Sequence, residues 1–347
     1  MFKYVLKRIG FAFLTCFIIL SITFLLMKSL PIDRPIGQEK QQIAYCEKQV
    51  YLGYFYKFTE EQKDLGHEVF RTSEDPKTKT VTYYYQVPSH QQYWKWLKNI
   101  ITKWEWGVSE QIEPNVSVTV IIRERIPNTI KLNILATVFS VPIGILLGIW
   151  AALKKNTITD HIISTLIMIF ISIPSFVLIS ILVLVFGYKL QWLPTQWPNP
   201  GASLGRIALA YIIPVFCLSF GSVCGYCRFV RAELCEVMES DYLLLARTKG
   251  LTKQQSIVRH ALRNAFVPIL PSILAEVIGL LSGSMILESL YCINGTGSLF
   301  IDAIKAKDYN VLFVDMAIFT TIGLLAGIVL DLSYGFIDPR IRMGAKK

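Results

Sequence analysis

The side chains that could catalyse a reaction are few in this chain and are not grouped. None of the four histidines, which are His67, His90, His161 and His260, belongs to a motif that would pair it with a catalytic nucleophile. The chain contains no G-x-x-x-x-G-K-[ST] phosphate-binding loop and no H-E-x-x-H, and large classes of enzymes depend on these patterns. We therefore predict that the chain is not an enzyme, has no catalytic residue and does not bind ATP through a P-loop.

The seven cysteines also lack the spacing of a metal site. Cys224 and Cys227 form a C-x-x-C, but they lie in an apolar stretch and no second pair accompanies them. A structural zinc site needs four ligands and no second pair of ligands is present, so we interpret both residues as small buried hydrophobic side chains and predict no metal site.

Glu276 is the one acidic residue well inside an apolar stretch of helical length. An ionisable side chain at such a place is a functional candidate, and Glu276 could line a transport pathway or couple transport to an ion gradient. It could also accept a hydrogen bond from a neighbouring helix, or stay protonated. Ion-driven carriers and channels usually contain more buried charge or rings of it, which counts against a self-sufficient carrier.

The elements around these residues are those of a membrane protein. The chain has 347 residues, of which 53% are hydrophobic and 17% are charged. Six windows are apolar over a length that crosses about 30 Å of hydrocarbon as a helix. They are Ile9–Met27, Ile134–Leu153 (or from Ile126), Ile162–Phe186, Ile207–Cys227, Phe266–Leu287 and Val311–Leu332.

Local signals refine two features of these windows. The first is predicted to be an uncleaved span, because it is longer than the apolar core of a signal peptide and no A-x-A site follows it. The motifs SIPSF (Ser172–Phe176) and VPILPS (Val267–Ser272) place prolines in the third and fifth windows. Both spans are therefore predicted to be broken, as is common in transporters.

The Lys and Arg residues alternate between the two sides of the windows. The short loops and termini of one side hold 16 of them, and the short loops of the other side hold 4. By the positive-inside rule both termini are predicted to lie in the cytoplasm. Membrane topology thus accounts for the net charge of +10, so we expect membrane lipid and no nucleic acid as a partner.

The longest soluble segment, residues 31–125, is predicted to lie outside the membrane and is rich in aromatic residues. Thr80–Val87 (TVTYYYQV) is typical of a strand. Gln91–Gly107 is typical of an amphipathic helix with Trp and Tyr at the depth of the lipid headgroups; a docking surface for an external partner is the alternative. Cys46 in this segment and Cys292 in another outer loop could form a disulfide.

A basic, polar stretch from Asp241 to Asn264 interrupts the apolar windows on the cytoplasmic side. Helical spacing leads to Gly250, which can adopt the left-handed conformation that ends a helix. Thr252 and Gln255 then form a capping box that starts a second helix. Its predicted apolar stripe is Ile257, Val258, Ala261 and Leu262.

Two interpretations of this helix, glycine turn and helix stay open. One is a basic loop held by anionic lipid, and the other is a rigid hairpin gripped by another protein. We favour the hairpin, because lipid binding requires charge but no ordered turn, and order has an entropic cost.

This stretch resembles the cytoplasmic coupling motif of binding-protein-dependent ABC importer permeases, in the form typical of B-type subunits of the oligopeptide, dipeptide and nickel family. The likeness covers the first span and everything from Gln92 onward. Its motifs recur in order: ERIPNTIKLNILA, SIPSF, WLP, the loop motifs DY, AR, KGL and RHALRNA, GSMILESLY with GTG, DYNVL, and DPRIR.

The chain departs from the family pattern at three places. Leu244–Leu245 stand where the family often has Arg-Thr, and Asn294–Gly297 stand where it often has Pro-Gly-Leu-Gly. Residues 36–89 exceed the usual outer loop and match nothing in it. These differences concern docking details and the substrate.

The resemblance implies an all-α integral membrane protein with six transmembrane helices of the type I ABC importer permease fold and an extracytoplasmic insertion after the first helix. The expected organisation is an N-terminal transmembrane helix (1–30), the extracytoplasmic aromatic segment (31–125) and a five-helix permease core (126–347). The cytoplasmic coupling loop is expected at 228–265.

The resemblance also implies partners in a bacterial plasma membrane. They are a homologous C-type permease subunit, two ABC ATPase subunits that bind ATP and Mg, and an extracellular solute-binding protein, so no cofactor is expected in this chain. The residues expected to contact an ATPase are Asp241, Tyr242, Ala246, Arg247, Lys249, Gly250 and Leu251. Ala246 would allow close approach, and Arg247 and Lys249 would pair with acidic residues.

The resemblance further implies a cargo class. Oligopeptides are expected, with dipeptides, nickel or a metal chelate as alternatives. The sequence leaves the choice open, because in such systems the binding protein often selects the ligand.

Overall fold

The computed structural model describes residues 2–28, 39–60, 69–74, 80–279 and 283–337. The DPRIR motif, His67 and parts of the 36–89 insertion lie outside these ranges. The helices are α1 (Phe2–Lys28), α2 (Glu39–Leu52), α3 (Ser89–Lys103), α4 (Val118–Leu153), α5 (Ile158–Ile171), α6 (Ser175–Leu182), α7 (Leu204–Met238), α8 (Asp241–Thr248), α9 (Lys253–Ser256), α10 (Leu262–Gly279), α11 (Met285–Leu290), α12 (Thr296–Ala306) and α13 (Tyr309–Ile337). The strands are β1 (Phe55–Phe58), β2 (Val69–Glu74) and β3 (Val81–Gln86).

Two π-helical segments lengthen these helices. Val183–Lys189 continues α6, and Ile257–Ala261 joins α9 to α10. Because of the second segment, Lys253–Gly279 forms one apolar helix of 27 residues.

Within the described residues, five helices are long and apolar enough to cross a membrane, and a bent pair makes a sixth span. The five are Val5–Lys28, Val118–Leu153, Leu204–Met238, Lys253–Gly279 and Tyr309–Ser333. The bent pair is Ile158–Ile171 with Ser175–Lys189, at 94°. Counted this way, the spans agree with the six predicted windows.

Proline breaks one span and not the other. Pro174 has no N–H and disfavours the helical conformation in Ile173, so α5 ends at Ile171 and the predicted break is confirmed. The predicted break at VPILPS is wrong, because α10 continues through Pro268 and Pro271. Each proline removes one hydrogen bond, whereas uncoiling in hydrocarbon would expose many more backbone groups.

The fifth span also ends earlier than predicted. The window reached Leu287, but α10 is described as far as Gly279 and Met285 begins a separate helix, α11. Gly283 has φ +66° and Ser284 is extended, and these conformations turn the chain between the two helices. The apolar run therefore contains a turn that hydropathy alone does not reveal.

The chain packs as two compact units. One consists of residues 1–9, 126–298 and 322–347, and the other of residues 10–125 and 299–321. The predicted border at residue 125 coincides with a boundary between the units, whereas the predicted border at residue 30 lies inside the second unit.

Helix α7 is the packing centre of the first unit. It contacts α5, α6 and α10, and two glycines let α4 approach its backbone. A Cβ on Gly144 would lie 2.9 Å from the Val223 carbonyl oxygen, and one on Gly148 would lie 2.7 Å from that of Cys227. Small residues four apart are a common device for close helix packing in membranes.

A small antiparallel sheet lies in the second unit. Its strand order is β1-β3-β2, so β3 is central and the strand predicted at Thr80–Val87 is confirmed. The side chains of Tyr84 and Tyr85 are buried. Helix α3 begins three residues after β3 and confirms the predicted helix, which ends at Lys103 because Trp104 is left-handed with φ +53°.

The buried carboxylate of Asp308, just before α13, organises the loop that precedes α4. Its Oδ2 accepts hydrogen bonds from the Ser109 hydroxyl at 2.5 Å and from the backbone N–H groups of Glu110, Gln111 and Ile112 at 3.0–3.1 Å. Several donors satisfy a buried carboxylate that water cannot reach. The DYNVL motif thus joins this loop to the start of the last span.

The carboxylate of Glu110 is buried in the same unit. Its Oε1 accepts hydrogen bonds from the Tyr45 hydroxyl at 2.8 Å and the Asn310 amide at 2.9 Å. Burial raises the pKa of Glu110 above its usual range, although the nearby Lys28 ammonium and these hydrogen bonds act in the opposite direction.

All seven cysteines lie in the described part of the chain and are free thiols. The disulfide that Cys46 and Cys292 could form is not present. Cys46 is fully buried whereas Cys292 is exposed, so the two sulfurs occupy different environments. Cys224 and Cys227 are buried with Ile167 in an apolar cluster, as predicted.

Candidate functional site

The hairpin between α7 and α10 has the predicted order of helix, glycine turn and helix. α8 ends at Thr248, and Gly250 follows with φ +95°. Thr252 caps α9: its hydroxyl accepts the Gln255 N–H and the Gln255 side chain accepts the Thr252 N–H, both at 3.2 Å. This reciprocal capping box fixes the direction in which the second helix begins.

The backbone conformation at position 250 requires a glycine, whereas the surrounding side chains do not. No described atom lies within 4 Å of a Cβ built on it. Its φ lies in the region that L-residues with branched side chains avoid. A larger side chain would therefore strain the turn without meeting a steric obstacle.

The second helix of the hairpin is not separate from the membrane. The π-helical turn at Ile257–Ala261 carries α9 directly into α10, which is a span. The first helix is also closer to a span than predicted, because α7 stays helical to Met238 whereas the coupling loop was predicted to begin at residue 228. The hairpin is thus a short extension of two transmembrane helices.

An apolar cluster packs beneath the hairpin. Leu243 of α8 is fully buried, and so are Leu234 of α7 and Ala152 of α4. The other buried members are Cys235, Ile257, Ala261 and Ala265. Three spans and the hairpin share this cluster, so the hairpin cannot shift without moving the ends of those spans.

One side chain also ties the two helices of the hairpin together. The Arg247 Nε donates to the Ser256 hydroxyl at 3.3 Å, and the Ser256 side chain is buried. Arg247 is half-buried, so part of its hydrogen-bonding capacity is used inside the hairpin.

The free face of the hairpin is apolar with a basic edge. Leu244 and Leu245 are 62% and 56% exposed, and Tyr242 is 43% exposed. The exposed basic residues around them are Lys249, Lys253, Arg259 and Arg263. Exposed apolar side chains with a polar rim are typical of a protein contact surface.

The structure brings the predicted contact residues together at this face. Asp241, Tyr242, Lys249 and Gly250 are exposed, and Ala246, Arg247 and Leu251 are half-buried. Val258 of the predicted apolar stripe is 66% exposed, whereas Ile257, Ala261 and Leu262 are buried or half-buried. The prediction did not include Leu244, although its presence in place of a polar family residue was a signal.

Two ion pairs near the hairpin were not predicted. The fully buried carboxylate of Asp160 receives Arg231 Nε at 2.5 Å and Nη2 at 2.8 Å. Asp160 also accepts the Asn156 N–H at 2.9 Å. The more exposed Lys155 pairs with Glu239. Both pairs join the α4–α5 turn region to α7.

Glu276 has polar partners inside the helix bundle. The hydroxyl of Ser140 on α4 donates to Glu276 Oε1 at 3.3 Å, and the phenol of Tyr226 on α7 also interacts with this carboxyl. Glu276 is half-buried. This arrangement agrees with the expectation of an interhelical hydrogen bond.

A second buried carboxylate, Glu288, shapes the GTG loop of the first unit. It accepts the Thr129 hydroxyl at 3.2 Å and the N–H groups of Ser284 and Ser298 at 3.2 and 3.1 Å. Burial raises the pKa of Glu288, and the backbone hydrogen bonds oppose this. A Cβ on Gly295 would lie 2.3 Å from the carboxylate, which explains a glycine at this position.

Comparison with known proteins gives consistent matches. The sequence profile of the family described as "Binding-protein-dependent transport system inner membrane component" matches residues 144–343. The dipeptide transport system permease protein DppB of Lactococcus lactis subsp. cremoris is 31% identical over 344 residues, covering 99% of this chain and 100% of that protein. The oligopeptide transport system permease protein OppB of Haemophilus influenzae is also 31% identical, over 342 residues and the same shares.

A solved structure titled "Crystal structure of an amino acid ABC transporter with histidines" aligns with a TM-score of 0.46 and 22% identity. The alignment covers 62% of this chain and 94% of that one. At this level of similarity the assignment rests on the sequence matches alone.

Proposed function

Since this chain belongs to the family of binding-protein-dependent transport system inner membrane components, a family of multi-pass membrane permeases, we propose that it imports oligopeptides. Support for this cargo comes from relatives named as dipeptide and oligopeptide permeases that match along their whole length. Nickel or a metal chelate carried by the same architecture remains the nearest alternative.

The proposed machine contains three further kinds of component in addition to this chain. A C-type permease subunit completes the pathway, two ABC ATPase subunits bind ATP and Mg and hydrolyse ATP, and an extracellular binding protein delivers the peptide. Both termini of this chain and its hairpin lie in the cytoplasm of a bacterial cell. This chain contributes no catalytic residue and no cofactor site.

One observation carries the coupling part of the proposal. The hairpin presents Leu244 and Leu245 with a basic edge, and its second helix continues without interruption into a span. A partner that grips the free face therefore acts directly on α10. The shared cluster of Leu243, Leu234 and Ala152 passes the same movement to α7 and α4.

The mechanism follows from this rigidity. Closure of the ATPases on ATP moves the hairpin as a body, and the spans shift between states open to opposite sides of the membrane. The capping box and the Gly250 turn hold the hairpin in one shape, so displacement is transmitted and not absorbed. The free energy of ATP binding at the ATPases is thereby used to change the conformation of the transport pathway in the membrane.

The alternative is an ion-coupled secondary transporter that uses Glu276. Its carboxyl is engaged by Ser140 and Tyr226, which supports a role in holding α10 against α4 and α7. Glu276 stays a candidate pathway residue within the importer, because a half-buried carboxylate could meet the amino terminus of a passing peptide.

Uptake into proteoliposomes tests the proposal. The chain is reconstituted with its C-type, ATPase and binding-protein partners, and labelled oligopeptide is supplied outside. We expect uptake that requires ATP and persists when the proton gradient is collapsed, and that excess oligopeptide, but not nickel or its chelate, competes. Uptake that survives removal of the ATPases and disappears with the gradient would reject the importer in favour of the carrier.

A further inference from the structure

Helix α3 has one face packed against membrane spans and an opposite face that remains exposed. Trp96 is 4% exposed; it stacks on Phe24 of α1 with 4.7 Å between ring centroids and meets Phe313 of α13 edge-on at 5.5 Å. Phe24 is near the C-terminal end of the first span, and Phe313 is near the N-terminal end of the last. The packed face of α3 thus contacts the C-terminal end of the first span and the N-terminal end of the last span. These two ends lie on the same side of the membrane.

A hydrogen bond gives the depth of this contact. The hydroxyl of Tyr93 on α3 lies 2.9 Å from that of Ser21 on α1. Ser21 is seven residues before Lys28, where α1 ends, and seven residues of α-helix span roughly 10 Å. α3 therefore lies beside the terminal turns of α1 and not above them, at a level that lipid headgroups occupy.

The opposite face of α3 carries large apolar side chains. Trp94, Ile101 and Trp104 are 66%, 74% and 71% exposed. Trp94, Lys98 and Ile101 follow one another at helical spacing, so Lys98 lies between the two apolar residues on the same face. The sequence of α3 contains Lys95, Lys98 and Lys103 and no acidic residue.

We propose that α3 is an interfacial membrane helix, whose exposed face of Trp94, Ile101 and Trp104 inserts among phospholipids, with Lys98 at an anionic lipid phosphate. Tryptophan prefers the headgroup region, and lysine extends its ammonium to the phosphate while its methylenes stay in apolar surroundings. Ile22, Leu25 and Leu26 near the end of α1 in the same compact unit are 41–64% exposed, as expected of side chains that face lipid. Its position on the outer leaflet rests on the proposed topology.

This anchor has a consequence for the outer segment. Trp96 and Tyr93 hold α3 from the protein side, and the lipid holds it from the other. The antiparallel sheet and α2 belong to the same compact unit, so the anchor limits how far this unit can tilt against the bilayer. A binding protein would therefore meet a surface of restricted orientation.

Accessibility of spin labels tests the insertion directly. A nitroxide is attached at Ile101→Cys in a Cys292→Ser background, and the full chain is placed in phospholipid nanodiscs without any partner. The matched control is Thr72→Cys on β2, an exposed position of the same unit. We expect the Ile101→Cys label to collide with oxygen more than with a water-soluble nickel chelate, and the Thr72→Cys label to show the reverse.

Two outcomes would overturn the proposal. One is equal exposure of both labels to the nickel chelate. The other is protection of the Ile101→Cys label only after the solute-binding protein is added, which would assign this face to a protein partner. Neither measurement involves transport, so both are independent of the proposed import function.

The role of Lys98 is tested by lipid preference. A fluorophore at Ile101→Cys is quenched by nitroxide-labelled phosphatidylglycerol or phosphatidylcholine, and the ratio of the two association constants is compared between variants. Lys98→Gln should lower the preference for phosphatidylglycerol about fivefold. Lys40→Gln, which changes an exposed lysine of α2, should leave it unchanged. An equal ratio in the two variants would overturn the assignment of Lys98 to a lipid phosphate.

Discussion

Asp160 and Arg231 form a two-point ion pair, with Arg231 Nε 2.5 Å from Oδ1 and Nη2 2.8 Å from Oδ2 of Asp160. The pair joins the first turn of α5 to α7 near the hairpin. Asp160 is fully buried, whereas the Arg231 side chain is 31% exposed. Water can solvate part of the Arg231 guanidinium but cannot reach the Asp160 carboxylate. Loss of the pair would therefore cost the carboxylate more than the guanidinium.

Arg231→Gln should destabilise the protein by about 1–3 kcal/mol, because it leaves a buried carboxylate without its counter-charge. The midpoint of thermal unfolding in detergent measures this effect. Lys155→Gln is the matched control, since it removes the more exposed pair with Glu239 and should change the midpoint little. Equal midpoints for the two variants would show that the buried pair of Asp160 and Arg231 contributes no more to stability than the exposed pair.

Gly250→Val should reduce ATP-dependent uptake about tenfold while membrane insertion stays normal. A β-branched residue at φ +95° costs on the order of 1–2 kcal/mol, and the turn can escape this strain only by changing the hairpin. Gly250→Asn is the control, because asparagine tolerates positive φ better than valine. Uptake by Gly250→Val at the wild-type level would contradict a rigid hairpin.

Leu244→Ser with Leu245→Ser should weaken association with the ATPase subunits roughly tenfold or more, because two apolar side chains are then no longer buried in the contact. Both leucines are more than half exposed, so the stability of the isolated chain should not fall. Affinity of the purified subunits gives the result. Leu204→Ser, at an 86% exposed position at the start of α7, serves as control. Wild-type affinity of the double variant would move the contact elsewhere.

Gly148→Ala should lower stability by about 1–3 kcal/mol, because its Cβ would lie 2.7 Å from a carbonyl oxygen of α7 and the two helices would have to separate. Gly221→Ala is the opposite case. No described atom lies within 4 Å of a Cβ there, and alanine favours helix, so it should be neutral or slightly stabilising. Unfolding midpoints compared side by side test the close approach of α4 and α7.

Stability should fall as pH rises above the usual range of a glutamate, in part because of Glu110. Burial raises its pKa in the folded chain, so its favourable contribution is complete below the unfolded pKa of about 4.3. That contribution is lost as the pH passes the raised folded value. Glu110→Gln still offers an oxygen that accepts hydrogen bonds from Tyr45 and Asn310, but it cannot ionise. This variant should therefore flatten the decline of stability with pH.

Unfolding midpoints measured from acidic to neutral pH show the slope. Glu113→Gln, which changes a half-buried acid of the same loop, should keep the wild-type slope. A Glu110→Gln profile parallel to that of the wild type would assign the pH dependence to other groups.

Several features of the site could be predicted because they are local in sequence. Gly250 forms the turn and the pair Thr252 and Gln255 caps the next helix, all within a few residues of one another. The turn and the cap can therefore be predicted from the order of residues. The same holds for the strand at Thr80–Val87 and the break at Pro174. In each case the backbone conformation follows from neighbouring residue types.

Other features needed the packed chain. Arg231 is 71 positions from Asp160, and Ser140 is 136 positions from Glu276. The non-helical conformations of Gly283 and Ser284 before α11 were missed because both residues stand in an apolar run that hydropathy treats as one segment. The sequence left the pairing of Cys46 and Cys292 open, and the structure shows one as a buried and the other as an exposed free thiol.

The amino-acid sequence by itself determined the number of apolar spans, the helical hairpin and the family motifs, since hydropathy, capping and glycine turns depend on adjacent residues. Only the tertiary structure decided that the hairpin is an extension of α7 and α10, that Leu244 faces outward while Leu243 is buried, and that Asp160 meets Arg231. These relationships arise where helices from distant parts of the chain pack against one another. Close packing and the need to pair buried charge decide which side chains meet there.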